Sequence, residues 1–234
     1  MGQQFALSLI RDHPMPPVTE SLQYRAIGIV RGKYIPNDPD QFTRGHLAGA
    51  DGLEIEAVVL GRVLTLMRRH LDMEKSHLWV VYPRCREADF LHLQIAGIWE
   101  PSTLAQINKS QVDLNNAENT SECNFDELPE GDNYFSVRGE LIYTKPETND
   151  LVLKIRQRSR SDGSRPLPFK LNLKGNIPLE HLRHFVSLEA RRQGNQLCLE
   201  DHEVIASMPT RGGKRKGGKS SIARKIPSKA KRTQ

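Results

Sequence analysis

Residues 133–174 read NYFSVRGELIYTKPETNDLVLKIRQRSRSDGSRPLPFKLNLK, and the alternation within them decides the fold. Successive side chains of a β-strand point to opposite faces, so parity reads as inside or outside. Phe135, Val137, Leu141 and Tyr143 share one parity and predict a core face, leaving Tyr134, Ser136, Arg138 and Glu140 outside. The pattern repeats at 151–159, where Leu151, Leu153 and Ile155 face inward and Lys154, Arg156, Arg158 and Arg160 face outward as the strand runs into its loop. It repeats again at 169–174, with Phe169, Leu171 and Leu173 inside and Lys170, Asn172 and Lys174 outside. Three amphipathic strands in succession are therefore predicted, and the outward set holds seven cations and one acid.

Downstream, 178–185 predicts a short helix with Pro178 at a tolerated first-turn position. Two strands follow at 186–192 and 196–205, joined by a turn at Gly194 and Asn195. Three strands, a helix and two strands within 133–209 is the element order of an OB-fold, a five-stranded Greek-key barrel.

Upstream, 13–19 carries three prolines and predicts an extended leader, residues 1–21, with folding beginning near Leu22. Residues 24–35 predict a strand that ends at Pro36, followed by a polar loop to Gly52 and a second strand at 53–60. Val63, Leu66, Met67, His70 and Leu71 recur at helical spacing and predict a helix over 61–71. A hairpin at 78–82 and 91–99 completes a β-rich module over 22–100. YRAIGIVRGKYIP of this module is similar to NYFSVRGELIYTKP of the next, a weak internal repeat. The helix falls after the second strand rather than the third, so the module is read as β-rich, with an OB-like barrel left open as an alternative. Residues 101–132 hold seven acids and one lysine and predict a linker or insertion between the modules.

The net charge of +6 hides an uneven distribution. Residues 210–234 contain ten Lys or Arg and no acid, whereas residues 1–209 carry 24 basic against 28 acidic side chains. The tail has glycine pairs and almost no large apolar side chains, so it predicts a disordered polycation, with Arg211, Lys214, Arg215, Lys216 and Lys219 available to an anionic partner. Three dispersed cysteines without a CxxC exclude a disulfide framework or zinc ribbon and fit a reducing cytoplasm. No stretch approaches the ~20 apolar residues of a membrane span. His181, His184, Cys198 and His202 have metal-type spacings, but helix and strand faces are not expected to aim all four at one point, and Cys198 reads as a small buried thiol. There is no Walker loop, HExxH or nucleophile elbow, so no catalytic residue, metal or cofactor is assigned.

The stretches YRAIGIVRGKYIP, EIEAVVLGRV, HLWVVYPR and LHLQIAGIWEP resemble an uncharacterised protein family of cyanobacterial type over residues 18–205, which implies no particular chemistry. The expectation from the residues themselves is non-catalytic, sequence-tolerant binding of RNA or single-stranded DNA. Arg138, Lys154, Arg156, Arg158, Arg160, Lys170 and Lys174 would contact backbone, Asn172 would lie among them, and Tyr134 would stack on a base. The alternative is an adaptor docking an acidic protein partner on the same face, with 101–132 folding back over it.

Overall fold

The computed structural model describes residues 13–50, 52–86, 90–100, 128–159 and 161–209. Arg160, the tail 210–234 and most of the acidic segment, 101–127, lie outside the described residues, with the expectations attached to them.

The first module consists of β1 (Arg25–Asp38), β2 (Gln41–Ala48), β3 (Glu54–Val59), α1 (Gly61–His70), β4 (His77–Cys85) and β5 (Leu91–Trp99). The strands close in the order β1-β2-β3-β5-β4, with β4 returning to β1 and with β3 and β5 parallel. This is the OB-fold order, and the helix follows the third strand, not the second as the sequence predicts. β2 lies within what was predicted as a loop. Its inward positions are Gly45 and Leu47, so the apolar alternation that announces a strand is halved. Gly45 is required there because a Cβ would stand 2.2 Å from the Ile35 carbonyl oxygen and 2.8 Å from the Tyr34 ring. The Tyr34 hydroxyl donates to the Phe42 carbonyl at 3.0 Å, so one tyrosine of β1 fills the space that β2 leaves empty. α1 buries Val63 and Met67, one turn apart, against the barrel, and Arg68, Arg69 and His70 complement its C-terminal dipole.

The second module repeats the plan with β6 (Tyr134–Lys145), β7 (Asp150–Ile155), β8 (Phe169–Lys174), a single 3-10 turn (Leu179–His181), β9 (His184–Gln193) and β10 (Gln196–Ser207). It closes as β6-β7-β8-β10-β9 with β9 returning to β6, and β8 meets β10 in parallel at Lys174 and Cys198. The helix predicted over 178–185 is reduced to that turn, and β9 begins two residues earlier than expected.

The two barrels share one ten-stranded sheet because β1 has three partners along its length. Arg25–Gly28 pairs with β6, Gly28–Gly32 with β4, and Lys33–Asp38 with β2. β1 is accordingly buried on both faces. Val30 and Tyr34 point into the first barrel, whose core is continuous with that of the second through Phe135 and Val137. Ile27 and Ile29 point the other way, into a second cluster with Leu78, Tyr134 and Met15, to which Trp99 and Leu128 add. The leader is thus part of the fold: Met15 is buried and the segment lies across the junction. Among the described residues, no helix is long and apolar enough to cross a membrane.

Gly28 lies where β1 passes from one partner to the other, opposite both Val81 and Phe135. A Cβ there would stand 2.2 Å from the ring of the fully buried Phe135, which has no room to retreat. Gly28→Ala is expected to destabilise the chain by about 1–3 kcal/mol, read as a lowered midpoint in urea unfolding.

Candidate nucleic-acid interface

The outer face of β6, β7 and β8 is organised in three transverse rows. Cross-strand pairing aligns Glu140, Lys154 and Lys170 in the first, Tyr143, Val152 and Asn172 in the second, and Lys145, Asp150 and Lys174 in the third. Each outer row therefore carries two cations and one carboxylate, and the middle row is an aromatic ring, an apolar side chain and an amide. Glu140 receives Lys154 at 3.3 Å and Arg156 at 3.9 Å, and Asp150 receives Lys174 at 2.6 Å. The hydrogen bond from Lys174, helped by that from Thr148, holds the Asp150 carboxyl below its usual pKa. It therefore remains ionised at neutral pH.

This is a more balanced surface than parity predicts. Asp150 opens β7, one residue before the predicted strand, and adds a second carboxylate to this face. Lys170 and Arg158 are exposed, and among the described residues no ion pair holds either one. Arg158 lies beyond the end of β7. The Arg156 guanidinium carbon lies 5.5 Å from the Tyr24 ring centroid, so one of its faces is already occupied.

Two expected contacts belong to the interior. Tyr134 does point away from its own barrel core, but the leader and Leu128 cover that side of β6, and the ring is 9% exposed in the second cluster. It is not placed to stack on a base. Arg138 is also buried: it donates to the Ser21 carbonyl at 2.6 Å, the Ser187 hydroxyl at 3.1 Å and the Gln23 carbonyl at 3.4 Å. Its role is to tie the leader to β6 and β9.

The aromatic that does reach the surface is Tyr143, which parity assigns to the core. The register of β6 against β7 shifts between Leu141 and Tyr143, so the bulged strand exchanges its faces beyond Ile142. Tyr143 turns outward and is 45% exposed, and Thr144 turns inward to donate to the Ile177 carbonyl at 2.8 Å. A bulge has no signature in side-chain alternation except a broken one, and here Ile142 and Tyr143 are both apolar enough to conceal the break.

Beside Tyr143 is a groove of about 320 Å³ lined by Val152, Asn172 and Lys174 of the sheet, by Asn195 of the β9–β10 turn and by Gln196 at the start of β10. Cys85 and Leu91, at the tip of the β4–β5 hairpin, supply its wall from the first barrel. That hairpin is also held to the second barrel by Arg84, whose guanidinium carbon lies 3.9 Å from the Phe169 ring centroid. The described end of the acidic segment is elsewhere. Asp132 pairs with Arg31 at 3.0 Å, and the Glu130 and Asp132 carbonyls accept from Arg191.

The equivalent face of the first barrel is mixed in sign, with His46 opposite Glu56, Arg44 opposite Val58, and Arg86 paired to Glu56 at 2.9 Å. Three of the four residues with metal-type spacing do adjoin: the rings of His184 and His202 lie 5.9 and 6.4 Å from that of His181. Among the described residues, no group of His, Cys, Asp or Glu is arranged to hold a metal ion. Burial raises the pKa of the Cys198 thiol.

Two closed five-stranded barrels of this strand order, fused through one strand, define a tandem OB-fold protein. Residues 26–106 match the family model described as PatR RNA-binding protein, N-terminal OB-fold domain. Residues 137–206 match a second model, described as cyanobacterial OB-fold-like RNA-binding domain, C-terminal. The two matches fall on the two barrels and are consistent with a cyanobacterial-type family built from OB-fold modules. No curated protein matches its sequence.

If Arg138 ties the leader rather than a phosphate, Arg138→Ala removes buried charge-assisted hydrogen bonds and is expected to cost about 2–3 kcal/mol of folding stability. Chemical denaturation measures this. A variant of unchanged stability with weakened nucleic-acid binding would return Arg138 to the interface.

Proposed function

We propose that the chain binds single-stranded RNA, with little sequence selectivity and without catalysing a reaction on it, along the outer face of β6, β7 and β8. The observation that carries this reading is the conjunction of RNA-binding family models over both barrels with a cationic face on the second. Lys154, Lys170 and Lys174 stand on adjoining strands, and Arg156 and Arg158 continue the line past the end of β7. Lys145 extends it on the opposite side. Rows that alternate charge with an aromatic and an amide suit a strand whose phosphates and bases alternate at similar spacing.

Ion pairs on this face are compatible with the reading. Glu140 and Asp150 relieve repulsion among the lysines of the unliganded protein, and the more accessible of the two pairs, Lys174 with Asp150, contributes only about 0–1 kcal/mol. A phosphate competes for the same ammonium group, and release of counterions from the strand favours the exchange. The basic tail adds a second cationic element that raises the encounter rate. Single-stranded DNA shares the phosphate chemistry and is expected to bind as well, with 2′-hydroxyl contacts deciding any preference.

Binding of a 12-nucleotide single strand, measured by fluorescence anisotropy at several salt concentrations, tests this. With about five phosphates engaged by sheet and tail together, log K is expected to fall with log salt at a slope of about −3.5. Ending the chain at Pro209 is expected to flatten the slope without abolishing binding. Lys170→Ala is expected to reduce its magnitude by about 0.7. Loss of all binding with the tail would assign the activity to the tail alone, and an unchanged slope in Lys170→Ala would remove the sheet face from the interface.

A further inference from the structure

The groove beside Tyr143 differs from the cationic rows around it in chemistry and in ownership. Its volume, about 320 Å³, lies at the small end of the range of ligand pockets, ~300–1,000 Å³, and suits one planar ring rather than an extended molecule. Tyr143 provides an exposed aromatic side, and Val152, Leu91 and the Cys85 thiol provide apolar surface. Asn172, Asn195 and Gln196 bring amides, which both donate and accept and so match the edge of a base. Lys174 and Asp150, paired at 2.6 Å, mark the polar end, where a phosphate or ribose would follow.

We propose that this groove is a composite pocket for one unstacked nucleobase, with Tyr143 as its stacking platform and the β4–β5 hairpin of the first barrel as its far wall. The inference rests on the RNA-binding reading and adds to it a base-binding point on an otherwise backbone-reading surface. The pocket exists because the barrels are fused. Without the β1–β6 pairing and the Arg84–Phe169 contact, Cys85 and Leu91 would have no reason to stand over the second barrel. Asn195 belongs to the two-residue turn, Gly194 and Asn195, between β9 and β10, and Gln196 opens β10 in the closing pair with Gln193. Three separate pieces of chain therefore converge on one ring-sized space.

A single-stranded oligouridylate carrying one 2-aminopurine tests the proposal on the full chain, with anisotropy reporting total binding and 2-aminopurine fluorescence reporting stacking. Quenching on binding is expected. Tyr143→Phe is expected to keep it, and Tyr143→Ala to abolish it with about a tenfold loss of affinity. Cys85→Leu, or the longer Cys85→Met, fills the groove from the first barrel without adding a stacking ring and is expected to abolish quenching while salt-dependent binding persists. Quenching that survives Tyr143→Ala overturns the platform, and quenching that survives both Cys85 variants overturns the shared wall. Absence of any binding by the unaltered chain instead defeats the RNA-binding reading on which the pocket rests.

Discussion

The backbone pairing of β1 with β6 is the constraint on which the rest of this structure depends. A strand joined to neighbours on both sides at every point would ordinarily close one barrel and stop. β1 is 14 residues long, and its first four residues belong to the other barrel's sheet, so the two closures are coupled through shared hydrogen bonds. The transfer between partners requires a residue without a side chain where the Phe135 ring crosses, which is Gly28. It also creates an outward apolar surface, Ile27 and Ile29 on β1 with Tyr134 on β6, that must be covered. Met15 and Leu128 cover it, and Arg138 satisfies the carbonyls of the leader that this brings inside.

That covering decides which side chains are left to meet a ligand. A tyrosine and an arginine on the outer parity of β6 would be free if the second barrel stood alone. Beside the first barrel they become structural. The functional surface is displaced toward β7, β8 and the far end of β6, where no element of the described chain lies on the rows except the β4–β5 hairpin at one margin. Charge on this surface is arranged so that repulsion is contained: each lysine-bearing row includes a carboxylate, and among the described residues the cations in no ion pair, Lys145, Lys170 and Arg158, stand at its periphery.

The bulge at Ile142 connects the fold to the chemistry. One additional residue in β6 exchanges inside for outside, so that Thr144 hydrogen-bonds into the barrel and Tyr143 faces solvent between two charged rows. The aromatic component of a nucleic-acid surface is thus obtained by a backbone irregularity. The same ring lies near Asn195 of the turn and Gln196 of β10 because β10 and β8 are brought together by barrel closure.

How much of this could be read from residues alone differs between the modules for a physical reason. In the second barrel, Leu151, Leu153, Ile155, Leu171 and Leu173 recur at every second position, with Lys154, Lys170, Asn172 and Lys174 on the other parity and only Val152 breaking the pattern, and a half-buried strand writes that alternation into its sequence. The five strands, their order and the cationic character of β7 and β8 follow from it. In the first barrel, β2 places a glycine where an apolar residue would announce it, and β1 is buried on both faces, so neither strand shows period two. The fates of Tyr134, Arg138 and Tyr143 were beyond local pattern as well. The first two depend on a neighbouring barrel and leader that are distant in sequence, and the third on a register shift that only pairing with β7 defines. Composition and alternation determined the class of fold and the sign of its surface, because burial of a single face is a local demand. Which outward residues remain outside was decided by tertiary structure, because covering that face requires another part of the chain.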